Sequence, residues 1–310
     1  MTDVGQRLAD AGYALGWSVV RRLPEPVARG LFRCIADAAW RKRGGSVRQL
    51  EANLARVLGA DASSARVREV SRAGMRSYLR YYQEAFRLPV WDRKTVHARM
   101  DCDLSPLDKC LERGRGAVFA LPHTGNWDHA GAWLALQGYP FTTVAERLKP
   151  ESLYKRFLDY RESLGMEVLP LTGGDGNTFG TLARRLRANG LLCLLSDRDL
   201  TAAGVPVTFF GEPTRMAAGP AALAVQTGAA LIPVTLAWDG PILRATLHAE
   251  VEAPAAGTRR EKIAVMTQAV ADAYAAGIAK APQDWHMLQP LWLADLDERR
   301  LAPIGHGEAQ

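Results

Sequence analysis

Beyond residue 114 the chain alternates between two periodicities, and that alternation restricts its fold more than any other feature. Apolar runs of strand length lie at Ala117–Leu121, Phe141–Val144, Met166–Leu171, Leu191–Leu195, Val207–Phe210, Ala230–Leu236 and Ile242–Leu247. Stretches with helical spacing fall between several of them, at 126–137, 151–164, 178–189, 217–227 and 259–280. Strands separated by helices predict an α/β fold: a central, mostly parallel or mixed β-sheet flanked by helices. Residues 1–113 read as helical, so the 310 residues are expected to form one unit. Its parts are a helical 1–113, an α/β core over 114–295 and a polar tail over 296–310. In such sheets ligands bind beyond the carboxyl ends of the strands. Three features sit there: His123, the glycines of Gly173–Gly176, and Asp197.

Charge is unevenly placed. Residues 1–100 hold 19 Lys/Arg against 9 Asp/Glu, and the rest of the chain holds 20 against 24. A basic N-terminal third suggests an anionic partner: a membrane surface, nucleic acid or a phosphorylated substrate. Within it, Arg68, Arg72, Arg76 and Arg80 recur every fourth residue and form a basic stripe, beside Val67, Val70, Tyr78, Tyr82 and Phe86 on another side. Phosphate headgroups and nucleic acid would both suit that stripe. Further upstream, Leu8, Leu15, Trp17, Val19 and Leu23 make one apolar side of a helix closed by Arg21, Arg22 and Pro24. That pattern fits a helix lying in a membrane interface and equally one packed on the protein. No run approaches the roughly 20 apolar residues a membrane span needs, and the start lacks the basic region and cleavage site of a signal peptide. Cys34, Cys102, Cys110 and Cys193 show neither a C-x-x-C pair nor metal-ligand spacing and read as reduced thiols of a cytosolic compartment.

The chemistry concentrates in His-Thr-Gly-Asn-Trp-Asp, residues 123–128. The run Ala117–Leu121 ends at Pro122, and Asn126 is a good N-cap for a following helix. His123 therefore stands at a strand-to-helix corner and Asp128 in the first helical turn. On a continuous helix five positions lie about 140° apart, at about 100° per residue. A histidine ahead of the helix can instead fold back over its N-terminus, where Asp128 could fix its tautomer and leave the other ring nitrogen as a base. No G-x-S-x-G accompanies the pair, so it suits activation of a hydroxyl that belongs to the substrate. His129 reads as structural, and no second ligand pair supports a metal.

His123 and Asp128 match the H-x4-D motif of the glycerolipid and lipid A acyltransferase superfamily. The blocks TTVAERLKPESLYKRFLDYRESLGMEVLPLTGG, LSDRDLTAAGVPVTFFGEPTRMAAGPAALAVQTGAALIPV and DWHMLQPLWLADL resemble, in order, the phosphatidylinositol mannoside acyltransferases of that superfamily. The resemblance implies a glycerolipid-acyltransferase-like fold and transfer of a fatty acyl group, typically palmitoyl, from acyl-CoA to the 6-hydroxyl of a mannose of phosphatidylinositol mannoside. It implies His123 as base, Asp128 as its orienter and Asp197 as a second acidic catalytic residue. Arg161, Glu146, Arg198, Lys149 and His286 carry over as substrate-site residues. His286 is further expected to approach the Asp197 carboxylate. No cofactor is implied, acyl-CoA being a co-substrate. The implied partners are acyl-CoA, phosphatidylinositol mannoside and the anionic cytoplasmic face of the membrane, without metal or nucleic acid. The chain departs from the pattern at Asp197, where glutamate is usual in the mannoside enzymes, and at Ala217, where proline follows methionine.

Other acceptors, a lysophospholipid among them, would suit the same H-x4-D machinery. Two more distant readings exist. Gly174, Gly176 and Gly180, then a helix, a strand and Asp197, imitate half of a dinucleotide-binding fold, but the final glycine is misplaced. A non-enzymatic membrane- or nucleic-acid-binding module would use the basic N-terminal third and leave the histidine–aspartate corner unexplained.

Overall fold

The computed structural model describes residues 19–145, 158–170, 177–199, 201 and 203–296. Seven strands form the central sheet: β1 (Met100–Asp101), β2 (Ala117–Leu121), β3 (Phe141–Ala145), β4 (Glu167–Pro170), β5 (Leu191–Leu195), β8 (Ala230–Asp239) and β9 (Ile242–Leu247). Their order is β1-β9-β8-β2-β5-β3-β4, while β6 (Val205–Phe209) and β7 (Glu212–Met216) make a separate antiparallel hairpin. Only the β8–β9 pair of the large sheet is antiparallel. The expected α/β architecture with a mostly parallel sheet is therefore present. Sequence reading found neither β1, at two residues too short to show a period, nor β7, whose polar Glu212-Pro213-Thr214-Arg215 carries no apolar alternation.

Every residue of β2 is buried, as in a parallel strand covered on both faces. Its side chains divide by the period of two. Val118 and Ala120 join a core with α7 (Thr178–Arg187), α8 (Gly219–Thr227) and α9 (Arg259–Lys280). Ala117, Phe119 and Leu121 join a second core with α4 (Arg93–Ala98), α5 (Ser105–Leu111) and α6 (Trp127–Leu136). The N-terminal helices α1 (Glu25–Lys42), α2 (Gly45–Leu58) and α3 (Ala65–Arg87) add a third apolar cluster through Ala36, Leu50, Leu54, Val67 and Met75.

The arginine stripe on α3 is a correction to the sequence reading. It does not present free cations. Arg72 and Arg76 both grip Asp37 of α1, Arg68 pairs with Glu51 of α2, and Arg80 bonds Glu84 one turn on. Side-chain hydrogen bonds from Arg76 and then Arg72 hold the nearly buried Asp37 carboxyl well below the usual range. A nearly buried carboxylate draws guanidinium groups because charged donors offset its desolvation best. The stripe therefore ties three helices together.

Outward-facing apolar side chains lie instead on α1. Val27, Leu31 and Ile35, four residues apart, are exposed, while the adjacent row of Ala28, Phe32 and Ala36 is buried. The region Leu8–Trp17, expected to form an apolar helix side, lies outside the described residues, as does the tail from residue 297. No helix among the described residues is long and apolar enough to cross a membrane.

Candidate active site

Strand register assembles the site. Leu121 at the end of β2 is paired directly with Leu195 at the end of β5. Parallel strands advance together, so His123 and Asp197, each two residues farther on, arrive side by side. The ladder continues past its last pair, Ser196 N–H donating to Leu121 O at 2.9 Å. His123 Nδ1 then lies 2.5 Å from Asp197 Oδ1, and the His123 backbone N–H donates to Asp197 Oδ2 at 3.0 Å.

The carboxylate that meets the His123 ring is thus Asp197, and the expectation that Asp128 holds that ring is corrected. Asp128 faces the other way: it accepts from Tyr81 Oη at 2.8 Å and from Arg161 Nε at 2.8 Å. The distribution follows from helix geometry. His123 precedes the helix and turns toward β5, whereas Asp128, inside the first turn, projects toward α3 and residues 158–163, which are helical. Burial would discharge Arg161, but the adjacent Asp128 carboxylate outweighs it and keeps the guanidinium charged. Burial, reinforced by Asp128, raises the Tyr81 phenol well above its ordinary range.

Asp197 is fully buried. Burial pushes its carboxyl up, yet the His123 charge, both His123 hydrogen bonds and the Trp285 indole together hold it below the ordinary value. An ionised carboxylate only accepts, so His123 Nδ1 carries a proton, and in the neutral ring the lone pair falls on Nε2. The ring keeps about a quarter of its surface, 27 %, open to a reactant.

The corner is fixed from several sides. Asn126 caps α6, its side chain accepting from His129 N–H at 3.0 Å as its position predicts. Gly125 has φ +57°, and a Cβ there would come within 2.7 Å of Leu236 Cβ, so glycine is required for both conformation and space. Residues 284–286 run against the corner as a strap: Gly125 N–H donates to Asp284 O at 2.9 Å and His286 N–H to His123 O at 2.7 Å. His129 is structural as expected, buried with Nε2 beside Val96 O.

His286 does not reach Asp197; its neighbour does, Trp285 Nε1–H donating to Asp197 Oδ2 at 3.1 Å. The His286 ring instead sets Nε2 at 3.0 Å from Ser77 Oγ, which donates to Asp284 Oδ1 at 2.8 Å. Burial, with the charge of His123 adding, lowers the His286 pKa to about 3, so the ring is neutral. Burial raises the Asp284 carboxyl to about 6. Arg198 engages Gln289 rather than a carboxylate. Glu146, Lys149 and the glycines of 173–176 lie outside the described residues. Sequence reasoning overlooked Trp285, Ser77 and Tyr81. Only Trp285 had a local signal, its place beside the singled-out His286.

An apolar cavity opens next to this corner, between α6 and one face of the sheet. It holds about 720 Å³ of space free of protein atoms, its open mouth included. Phe119 and Leu121 of β2, Cys193 and Leu195 of β5, and Val234 and Leu236 of β8 supply the sheet side. Trp127, Gly131 and Leu134 supply the helix side, and Asp128 with Arg161 supplies polar groups. Trp127 also meets His123, ring centroids 5.5 Å apart, and so joins the cavity to the His123 ring. A Cβ on Gly131 would stand 2.7 Å from Met166 Cε and 3.0 Å from Phe141 Cζ, so only glycine lets these two lining side chains pack against α6 without being pushed into the cavity.

The arrangement can activate a hydroxyl beside an apolar chain, which agrees with the relatives. The chain is 51 % identical over 306 residues to a phosphatidylinositol mannoside acyltransferase of Mycolicibacterium smegmatis, covering 97 % of each chain. It is 49 % identical over 306 residues to one of Mycobacterium tuberculosis, covering 98 % of this chain and 94 % of the relative. The family model for bacterial lipid A biosynthesis acyltransferases matches residues 6–294. The chain therefore belongs to the bacterial lipid A biosynthesis acyltransferase family and is an O-acyltransferase.

Proposed function

We propose that this enzyme transfers a fatty acyl group, palmitoyl in the first instance, from acyl-CoA to the 6-hydroxyl of a mannose of phosphatidylinositol mannoside. The observation that carries the mechanism is the 2.5 Å contact between His123 Nδ1 and the buried Asp197 carboxylate, at a corner whose Trp127 and Asp128 line an apolar cavity. His123 Nε2 removes the proton of the mannose hydroxyl as its oxygen attacks the thioester carbonyl. Asp197 stabilises the resulting imidazolium, which returns the proton to the departing CoA thiolate. The new ester bond forms as the C–S bond breaks, and no metal or bound cofactor takes part in the scheme. The acyl tail lies in the cavity under α6, where each methylene removed from water contributes about 0.8 kcal/mol. Asp128 and Arg161 frame the polar side of that cavity, with Tyr81 holding Asp128 from behind. Arg198, one residue past Asp197, is left to meet the acceptor headgroup, while the buried His286 braces the corner through its backbone N–H to His123 O.

The enzyme works at the cytoplasmic face of the membrane, docked through α1. Exposed Val27, Leu31 and Ile35 enter the interface, and the exposed Arg41 and Lys42 at the helix end, nearest that face, meet anionic headgroups.

Radiolabelled palmitoyl-CoA, with and without phosphatidylinositol dimannoside, tests the function in wild type and His123→Ala. Acceptor-dependent product that vanishes in the variant is expected. Transfer to lysophospholipid but not to the mannoside overturns the substrate, and undiminished transfer by His123→Ala overturns the base.

A further inference from the structure

We propose that Trp285 is a positioning residue for acyl transfer, its indole N–H locking the Asp197 carboxylate in the orientation that serves His123. The inference rests on the reading of His123 as base. Asp197 Oδ2 takes two donors, His123 N–H at 3.0 Å and Trp285 Nε1–H at 3.1 Å, which leaves Oδ1 for the ring. Of the three hydrogen bonds described at this carboxylate, only the indole comes from a residue other than the base itself. A fully buried charge needs such partners to replace its lost hydration.

The indole is well suited to the task. Trp285 is fully buried and meets Phe209 and Trp292 edge-on, with centroids 5.9 and 6.1 Å away. Its backbone forms a bridge with Thr124, adjoining the base. The donor is thus held by packing and by the strap, and it stays neutral and protonated while the histidine cycles. Its hydrogen bond is stronger to the carboxylate beside a neutral ring than to one already neutralised by imidazolium. Trp285 therefore favours the deprotonated, active form of the pair, and its removal raises the pH at which the pair protonates.

Trp285→Phe is expected to move the acidic limb of kcat/KM upward by about half to one pH unit, with a fall in kcat at neutral pH of about tenfold or more. Trp292→Phe is the matched control. Trp292 is equally buried, but its indole donates to Phe209 O at 2.9 Å, so it should leave the limb in place. A second measurement does not depend on Trp285→Phe folding. With ¹⁵N-labelled indoles in wild type, the Trp285 Nε1–H resonance, identified by its displacement in Asp197→Asn, should titrate with the midpoint of the acidic limb. An unmoved limb in Trp285→Phe, an equal shift in Trp292→Phe, or an indole resonance indifferent to that titration overturns the proposal. Failure of the base reading is distinguishable: His123→Ala would then retain transfer while the wild-type indole still titrated.

Discussion

Asparagine at Asp197 and asparagine at Asp128 should damage the protein in different ways, and the difference measures which carboxylate serves the base. Asp197 accepts from His123 Nδ1 at 2.5 Å. In Asp197→Asn the amide can donate to Nδ1, which favours the tautomer protonated at Nε2 and so removes the lone pair that would take the substrate proton. The comparable change in serine-protease triads lowers kcat by about 10⁴, and a loss of about 10³–10⁴ is expected here. Asp128→Asn leaves the base untouched but strips the buried Arg161 of its counter-charge. Asp128 is 1 % and Arg161 18 % exposed, so solvent screens the pair little. Breaking a buried pair of this kind costs about 3–5 kcal/mol. With an unfolding entropy of about 2.1 cal/mol/K per residue, that cost corresponds to a Tm lower by about 5–8 °C. Circular dichroism reads the Tm, and ¹⁵N spectra of the histidine ring read the tautomer. Asp197→Asn should flip the tautomer, and Asp128→Asn should lower the Tm with the tautomer kept at Nδ1–H. A flipped tautomer in Asp128→Asn, or a wild-type tautomer with full activity in Asp197→Asn, refutes the assignment.

Gly131→Val should shorten the longest acyl chain accepted, since even a Cβ there meets Met166 and Phe141. Each methylene left unburied should lower kcat/KM about fourfold, at about 0.8 kcal/mol per methylene, in a comparison of acyl-CoAs of graded length. Leu31→Glu with Ile35→Glu should weaken binding to anionic vesicles about tenfold or more in a sedimentation assay, with Tm unchanged because both side chains are already exposed. Acid should loosen the helical region through Asp37, whose carboxyl is held low in the folded state by Arg76 and Arg72. A depressed carboxyl contributes stability that is present above its unfolded value, about 3.9, and is lost as pH falls through its folded one. Tm of Asp37→Asn should therefore fall less than that of wild type as pH drops from about 5 toward 3.

Local chemistry made much of this protein legible. β2, β5 and β9 were bounded by their apolar runs, and α9 by the helical spacing over 259–280, its start held by a capping box of Thr258 and Glu261. The His123 corner followed from Pro122 and the Asn126 cap, both short-range effects. The arginine stripe shows where such reasoning stops. Its spacing was right, but its partners Asp37 and Glu51 come from other helices, and no period along α3 announces them. The apolar face of α1 was hidden for the opposite reason: its exposed row and its buried row are both apolar, and only docking against α3 decides which one stays in solvent.

The sequence by itself singled out His123 as the candidate base, because a histidine between a strand and a capped helix is placed by its immediate neighbours. Only the tertiary structure decided what holds it. Asp128 is five residues away and turns to Arg161, whereas Asp197, 74 residues away, arrives through the pairing of Leu121 with Leu195. Trp285 enters from still farther along the chain through the strap against Thr124. Sequence proximity fixes direction along one element, but the meeting of side chains from β2, β5 and the 284–286 strap depends on strand register and packing, which no local pattern encodes.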